Sequence, residues 1–544
     1  MKKTHPVRDW FLPLSLAVLA AAIVTVMVVR FQAAPVPLER DEGEYALIGR
    51  SILDGVPPYL EAGNMKLPGT YYAYAAVMTV FGQTIEGIHL GLMVVNLLST
   101  IILFLIARPL LGSAGAALAG AAFSIMSADL SVLGLFAHAT HFVMLFALAG
   151  IWLLEQSSKS ERRIPLLWGS GLCFGLAFLM KQSGAFFAMF GFLWELHNML
   201  RRRPIPWKRL LLESGSLAGG IMLPYILIAA LLTTQGVFEK FWFWTVEYAR
   251  AYVSQVDWKT GLELFRMGIT PIIRDNPVIC FAALAGMIGS WLNSSGRRIA
   301  PFLLAFFVFS FLAVCPGFFF REHYFVQLLP AVALYAGTAL FMLKEILAKY
   351  TNRSMAIQFA VLLVVVAFSL TPAMSTGRVL SAKTPDEFSR LVYGGNPFPE
   401  SVKIAAYLER NTNPGDRIAV LGSEPQICFY AHRKSATEHI YMYGLMEMQP
   451  FALRMQEDMI AQVEKSKPPF VVFAWIPTSW LQRPGSEKKI FSWMDGFLSN
   501  YYEPVMVADI HADRTTWLTD KEAKYFAPRP ESNSLIVFRR KTGN

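Results

Sequence analysis

ERDEGEYALIGRSILDGVPPYLEAGNMKLPGTYYAYAAVMTVFG, residues 39–82, lies between two long apolar runs. It places Asp41, Glu42 and Glu44 directly after the first of them. EYALIGRSILDG has the spacing of a short helix, with Ala46, Leu47 and Ile48 toward the membrane. NMKLPGTYY sets Lys66 in a Pro/Gly-bounded loop beside tyrosines. Adjacent carboxylates at a membrane surface repel one another, which raises a carboxyl pKa. A carboxylate so placed can take a proton from an attacking hydroxyl or amine. The same pair can bind a divalent metal, or be a solvated acidic loop. The residues alone leave the three open.

The apolar runs on either side dominate the chain. Of 544 residues, 54% are hydrophobic and 16% charged, against about 25% charged in an ordinary soluble protein. Such a composition cannot cover a globular surface, and it excludes a soluble multidomain enzyme, a disordered chain and a disulfide scaffold. A span needs about 20 mainly apolar residues. Eleven segments approach this: 10–30, 87–107, 112–130, 137–154, 164–181, 183–200, 210–232, 271–292, 299–316, 324–343 and 355–372. The first is long for a signal-peptide core and has no small-x-small cleavage site, so it is expected to be a retained anchor. Cys173, Cys280, Cys315 and Cys428 form no CxxC pair, and no disulfide is expected.

The net charge is +10. With the N-terminus inside, the inner loops carry 17 basic against six acidic residues, whereas the outer side up to residue 372 carries 11 against 14. This asymmetry favours a cytoplasmic N-terminus, and it explains the charge without nucleic acid. An odd number of spans places the C-terminal part outside. Two outer loops are long, 31–86 and 233–270, and FEKFWFWTVEYARAYV in the second suits a helix lying at the interface.

Residues 373–544 change character. SVKIAAYLERNT (401–412) has helical spacing, NPGD (413–416) is a turn, and RIAVLGS (417–423), PFVVFAWIP (469–477) and SLIVFRR (534–540) read as strands. The expectation is a small α/β domain. LGSEP lacks the GxGxxG pattern of a dinucleotide site. There is no internal repeat.

The motifs carry a resemblance. DEGEYALIGRSILDGVPPY followed by KLPGTYY and FG resembles the first loop of the polyprenyl-phosphate-sugar-dependent membrane glycosyltransferases. These form the GT-C superfamily, and the branch concerned holds the protein O-mannosyltransferases and the aminoarabinose lipid A transferase. ARPLLG (107–112), FLMKQSG (178–184) and REHYFVQLLPA (321–331) resemble later family segments. YGGNPFPES, NPGDRIAVLGSEP and AHRKSAT resemble the outer domain of bacterial members. The resemblance implies a polytopic α-helical membrane protein of GT-C type with about 11 transmembrane helices. Residues 1–372 would form the catalytic membrane domain, and 373–544 a C-terminal periplasmic α/β domain. It implies transfer of a sugar from a polyprenyl-phosphate donor to a lipid A, glycan or protein acceptor. The transfer would occur on the outer face of a bacterial inner membrane and invert the anomeric centre.

Carried over by motif, Asp41 is the general base and Glu42 positions it or the acceptor. A phosphate leaving group needs cations. Lys66 matches the family's loop lysine, and Arg321, His323 and Lys181 are the other phosphate-binding candidates. Glu44, Tyr45, Asp129, His138, His141 and Tyr324 are candidates for acceptor or sugar contacts. The family lysine is usually followed by Pro-Pro, whereas Leu67-Pro68 follows Lys66 here. Many relatives carry an acidic residue near the third outer turn. Here that region reads SADLSVLGLFAHATHF, where Asp129 substitutes or His138 and His141, three apart, share a face. No cofactor is required, and a divalent metal is the alternative left open. An oligosaccharide ligase or oligosaccharyltransferase-like enzyme is the rival within enzymes; a transporter or scaffold is the rival outside them.

Overall fold

The computed structural model describes residues 11–201, 204–205, 207–350, 381–512, 514–529 and 531–541. The expected span 355–372 lies outside them. Among the described residues, seven helices are long and apolar enough to cross a membrane, or eight if one bent pair is a single span. The chain is a polytopic membrane protein.

The helices follow the apolar runs, with differences that have local causes. The first is α1 (Phe11–Ala33). The runs at 87–107 and 112–130 are two helices within Ile85–Met126 that meet at a kink at Gly112, with φ 66° and ψ 178°. Glycine adopts that left-handed φ without the cost a Cβ would bring. Ala185–Leu200 has 16 residues, about 24 Å of helix, short of the roughly 30 Å hydrocarbon core. The span expected over 271–292 is two helices, Trp258–Asp275 and Pro277–Leu292, bent by 101°. Pro277 disfavours helical backbone at Asn276, whose φ and ψ are −125° and 49°. The run 324–343 opens as a 3₁₀ turn, Glu322–Gln327, before the helix Leu329–Tyr350.

By contact the chain divides into two compact units. The described parts of the first lie within Met1–Ala33, His89–Ile228 and Val256–Ser381. Phe187, Phe190 and Phe306 are fully buried in its core, with ring centroids 5.5–6.3 Å apart. Arg163, also buried, pairs with Glu195 and, at 2.7 Å, with Glu213.

The second unit comprises Ala34–Ile88, Ala229–Gln255 and Ala382–Asn544. The grouping differs from a boundary at residue 372, because parts of both long outer loops associate with the C-terminal segment. That segment carries a six-stranded sheet of order β2-β1-β3-β6-β4-β5. The strands are β1 (Arg417–Leu421), β2 (Lys434–Ser435), β3 (Phe470–Trp475), β4 (Tyr502–Ile510), β5 (Thr515–Thr519) and β6 (Asn533–Arg540). β2, β1 and β3 run parallel, with Ala419 opposite Val471; β6 is antiparallel to β3, with Val472 opposite Val537. The three expected strands are β1, β3 and β6. β4 carries Pro504 beside an irregularity in its register, and β5 reads Thr-Thr-Trp-Leu-Thr, without apolar alternation, so neither reads as a buried strand.

The aromatic run 238–253 is not a uniform helix. A π-helical turn, Phe243–Tyr248, joins Phe238–Trp242 to Ala249–Val253. The wider turn brings Phe241, Trp244, Thr245 and Tyr248 to a buried face. Tyr248 donates to Glu447 at 2.5 Å, and Lys240 pairs with Glu438. This segment is held by protein contacts on that face, rather than being only a lipid anchor.

Candidate active site

The acidic loop folds into α2 (Arg40–Leu53). Glu39 caps it, its side chain accepting from the Glu42 N–H at 2.9 Å, while the Glu42 carboxylate accepts from the Glu39 N–H at 3.2 Å. This is a reciprocal capping box. Glu42 is fully buried in that role, not beside Asp41 as the expected partner. On a helix, neighbours in sequence diverge by about 100°, whereas residues three apart share a face. The carboxylate that shares a face with Asp41 is Glu44.

Asp41 and Glu44 meet at Lys66. The Lys66 ammonium donates to Asp41 Oδ1 at 2.8 Å and to Glu44 Oε2 at 2.6 Å. Its Nζ also lies 4.5 Å from the Tyr45 ring centre and 5.2 Å from that of Tyr441. Glu44, with no exposed side-chain surface, accepts further bonds from Tyr71 at 2.7 Å and Asn64 at 2.8 Å. Tyr441 donates to Asp41 Oδ1 at 2.9 Å. Asp41 keeps 18% of its side-chain surface and Lys66 20%, so the cluster opens at these two residues. Burial alone would lower the Lys66 pKa, but the charges of Asp41 and Glu44 hold it well above the usual lysine value. Burial pushes the Glu44 carboxyl up, against the pull of Lys66. Glu44 and Tyr45, expected as acceptor contacts, hold and shield Lys66.

Two motifs of the C-terminal segment orient α2. The Arg40 guanidinium donates to Glu424, in LGSEP, at 2.7 and 3.0 Å, and to Asn396, in YGGNPFPES, at 2.7 Å. Arg50 donates to the carbonyls of Phe429, at 2.6 Å, and Cys428, at 3.2 Å. These motifs place the acidic helix rather than bind a nucleotide.

The first unit gathers a second group. His138 and His323 stack with centroids 4.1 Å apart and planes 10° apart. Tyr324 lies edge-on to His323 at 4.9 Å, and the Lys181 ammonium sits 3.6 Å from the Tyr324 ring centre, a cation–π contact. Arg321 begins the same 3₁₀ turn, over the Phe319 ring at 5.9 Å. Phe318 and Phe320, just before it, have φ of 55° and 43°. Such values are outliers for bulky residues, and strain of this kind clusters at functional sites.

His138 and His141 do not act as a pair. His138 is the N-cap residue of Ala139–Ser157 and turns to His323. His141 is buried within that helix, and its ring nitrogens make no hydrogen bond among the described residues. Asp129 caps a 3₁₀ turn, accepting from the Ser131 N–H at 2.7 Å. A metal would find imidazole donors at His138 and His323 in this unit and a carboxylate donor at Asp41 in the other.

Among solved structures, ArnT from Cupriavidus metallidurans bound to undecaprenyl phosphate matches this chain with a TM-score of 0.57 and 15% identity. The match covers 96% of this chain and 98% of that one. The two chains share their fold. A second similar structure is the archaeal oligosaccharyltransferase AglB from Archaeoglobus fulgidus, in complex with an inhibitory peptide and a dolichol-phosphate. It matches with a TM-score of 0.53 and 14% identity, over 98% of this chain and 77% of that one. Residues 65–213 match the dolichyl-phosphate-mannose-protein mannosyltransferase family. No curated protein sequence gives a significant match.

Reading the GT-C motifs did not reveal four side chains. Asn64 and Tyr71 flank Lys66, and their neighbourhood was the only signal. Tyr441 lies 400 residues from Asp41 and gives none. Arg30, inside α1, is buried and donates to the carbonyls of Ser127 at 2.6 Å and Gly134 at 2.9 Å. It brackets the turn that Asp129 caps. A charge within an apolar run is a functional candidate by default, and that was the available signal.

Proposed function

We propose that this chain is a glycosyltransferase that moves a sugar from a polyprenyl-phosphate donor to a cell-envelope acceptor. The observation that carries this reading is the Asp41–Lys66–Glu44 cluster at the start of α2, in a chain of GT-C fold. Asp41 takes the proton of the acceptor hydroxyl or amine as that atom attacks the anomeric carbon. The bond from that carbon to the phosphate oxygen breaks, and the electron pair leaves with the polyprenyl phosphate. A single displacement inverts the centre. A lysine ammonium has three donors; two serve Asp41 and Glu44, and the third goes to the phosphate. In the first unit, Lys181 and Arg321 are the cations that the family motifs assign to a leaving group whose charge grows in the transition state, and His323 is a hydrogen-bond donor. Glu44 is a positioning residue for Lys66. No metal is required by these steps.

The proposal places the reaction on the outer face of a bacterial inner membrane. The charge asymmetry of the loops supports a cytoplasmic N-terminus. A reporter active only in the periplasm, fused after Asn544, is expected to be active; activity of a cytoplasm-only reporter there would reverse the orientation.

The chemical test is transfer from purified lipid-linked sugar. Asp41→Asn keeps shape and removes the proton acceptor, and turnover is expected to fall about 10²–10⁴-fold at unchanged protein level. Near-normal turnover in Asp41→Asn would reduce the acidic cluster to a structural ion pair.

A further inference from the structure

The second unit contains a cavity of about 260 Å³ that the transfer chemistry does not use. Its walls come from the π-helical turn, the Glu438–His439 segment and the helix Ala452–Ser466. Trp244 and Phe451 supply aromatic surface, and Glu438, Lys240, Arg454 and Asp458 supply polar groups of both signs. His439 lies against Trp244, with centroids 6.1 Å apart, and is 3% exposed. Neither of its ring nitrogens has a hydrogen-bond partner among the described residues. Both nitrogens are closed off from the open space of the cavity, so His439 lends it packing surface beside Trp244 rather than hydrogen bonds.

The lining narrows the chemistry. Drug-sized ligands occupy about 300–1,000 Å³, so this cavity suits one small ring rather than a lipid tail. Lys240 is paired with Glu438, and Arg454 lies 3.8 Å from Asp458. The cations are thus balanced by carboxylates, which disfavours an anion such as phosphate. Aromatic faces beside carboxylates and a guanidinium suit a molecule with one apolar C–H face and a rim of hydroxyls. We propose that this cavity is a saccharide subsite that holds one neutral sugar ring of the acceptor. The inference rests on the glycosyltransferase reading for the word acceptor, and on the cavity alone for the sugar.

The cavity is also tied to the loop that carries Lys66. The Gly63 N–H donates to the Glu438 carbonyl at 2.9 Å. A Cβ at Gly63 would fall 2.3 Å from the Trp244 ring, so only glycine permits this approach. A sugar held here therefore touches residues packed on the segment three positions before Lys66.

The test uses the full chain in detergent with a panel of methyl hexosides at millimolar concentration, read by saturation-transfer NMR. Binding is expected, and it is expected to weaken about tenfold in Phe451→Ala, because an aromatic contact of this kind is lost. Asp458→Asn, which keeps size and shape, is expected to weaken it as well. Asp41→Asn, which keeps the shape of the cluster, is expected to leave hexoside binding in place, which separates this site from the transfer site. No saturation transfer from any hexoside, or transfer unaltered in both Phe451→Ala and Asp458→Asn, would overturn the proposal. So would preferential binding of an unglycosylated aromatic peptide that competes the hexosides away. If hexosides bind as expected while Asp41→Asn retains turnover, the subsite stands and the assigned chemistry fails.

Discussion

The two groups of candidate residues hold their charges by different means. Around Lys66, each charge is met by an opposite charge or a hydrogen bond: two carboxylates on the ammonium, and an amide and a phenol on Glu44. Around His323, the cations lie on aromatic faces, Lys181 over Tyr324 and Arg321 over Phe319. A buried ion pair is costly to break, because removing one member leaves the other charged and desolvated. A cation on a ring face gains less, about 0.5–2 kcal/mol, so losing it costs the fold little. The first group therefore combines stability with chemistry, whereas the ring contacts of the second add little to the fold by themselves.

The sharpest way to break this contrast is at Lys66. Lys66→Met leaves the Glu44 carboxylate without its cation, and a loss of about 3–5 kcal/mol is expected, read as a lower Tm. Adding Glu44→Gln is expected to restore most of that stability while transfer stays abolished. Full stability in Lys66→Met would show that the pair carries no weight. The pH dependence has a definite sign. The folded Lys66 pKa is raised, so its contribution is complete below the unfolded value of about 10.4 and is lost only as pH rises through the higher folded value. Thermal unfolding between about pH 7 and pH 10 is therefore expected to show no step that Lys66→Met removes.

Lys181→Gln should separate chemistry from stability. A charge-assisted hydrogen bond to phosphate is worth about 1.5–3 kcal/mol, so kcat/KM for the donor is expected to fall about 10–100-fold. Tm should change little. A large fall in Tm with unchanged kcat/KM would make Lys181 structural and erase the contrast. The smallest effect is expected at Glu42. Glu42→Gln keeps the capping box, since glutamine serves in it as glutamate does, and Tm and turnover should both stay close to those of the unaltered chain. A deep loss of turnover at normal Tm would return Glu42 to the catalytic pair.

Sequence patterns carry some of these elements plainly and others not at all. Periodicity locates α2, and apolar runs locate the spans, because a backbone in lipid must satisfy its own hydrogen bonds. The family motifs selected Asp41, Lys66, Lys181 and His323, and the structure places each in one of the two groups. Glu44, rather than Glu42, is the acid that meets Lys66 beside Asp41. Only the helical phase relative to the capping box decides which acid turns to Lys66, and that phase depends on where the helix starts. The short helix Ala185–Leu200 and the bend at Asn276 reflect lengths and breaks that hydropathy smooths over.

Composition and motif order by themselves determined the membrane class, the GT-C resemblance and the acidic loop as the place to look. Tertiary structure decided the rest: that Glu44, Asn64 and Tyr71 converge on one buried point, that Tyr441 reaches Asp41 from 400 residues away, and that His138 stacks on His323 instead of pairing with His141. The reason is physical. Local pattern records which residues must avoid water and how the backbone repeats, whereas a site joins side chains distant in sequence, and their meeting is set by the packing of whole elements.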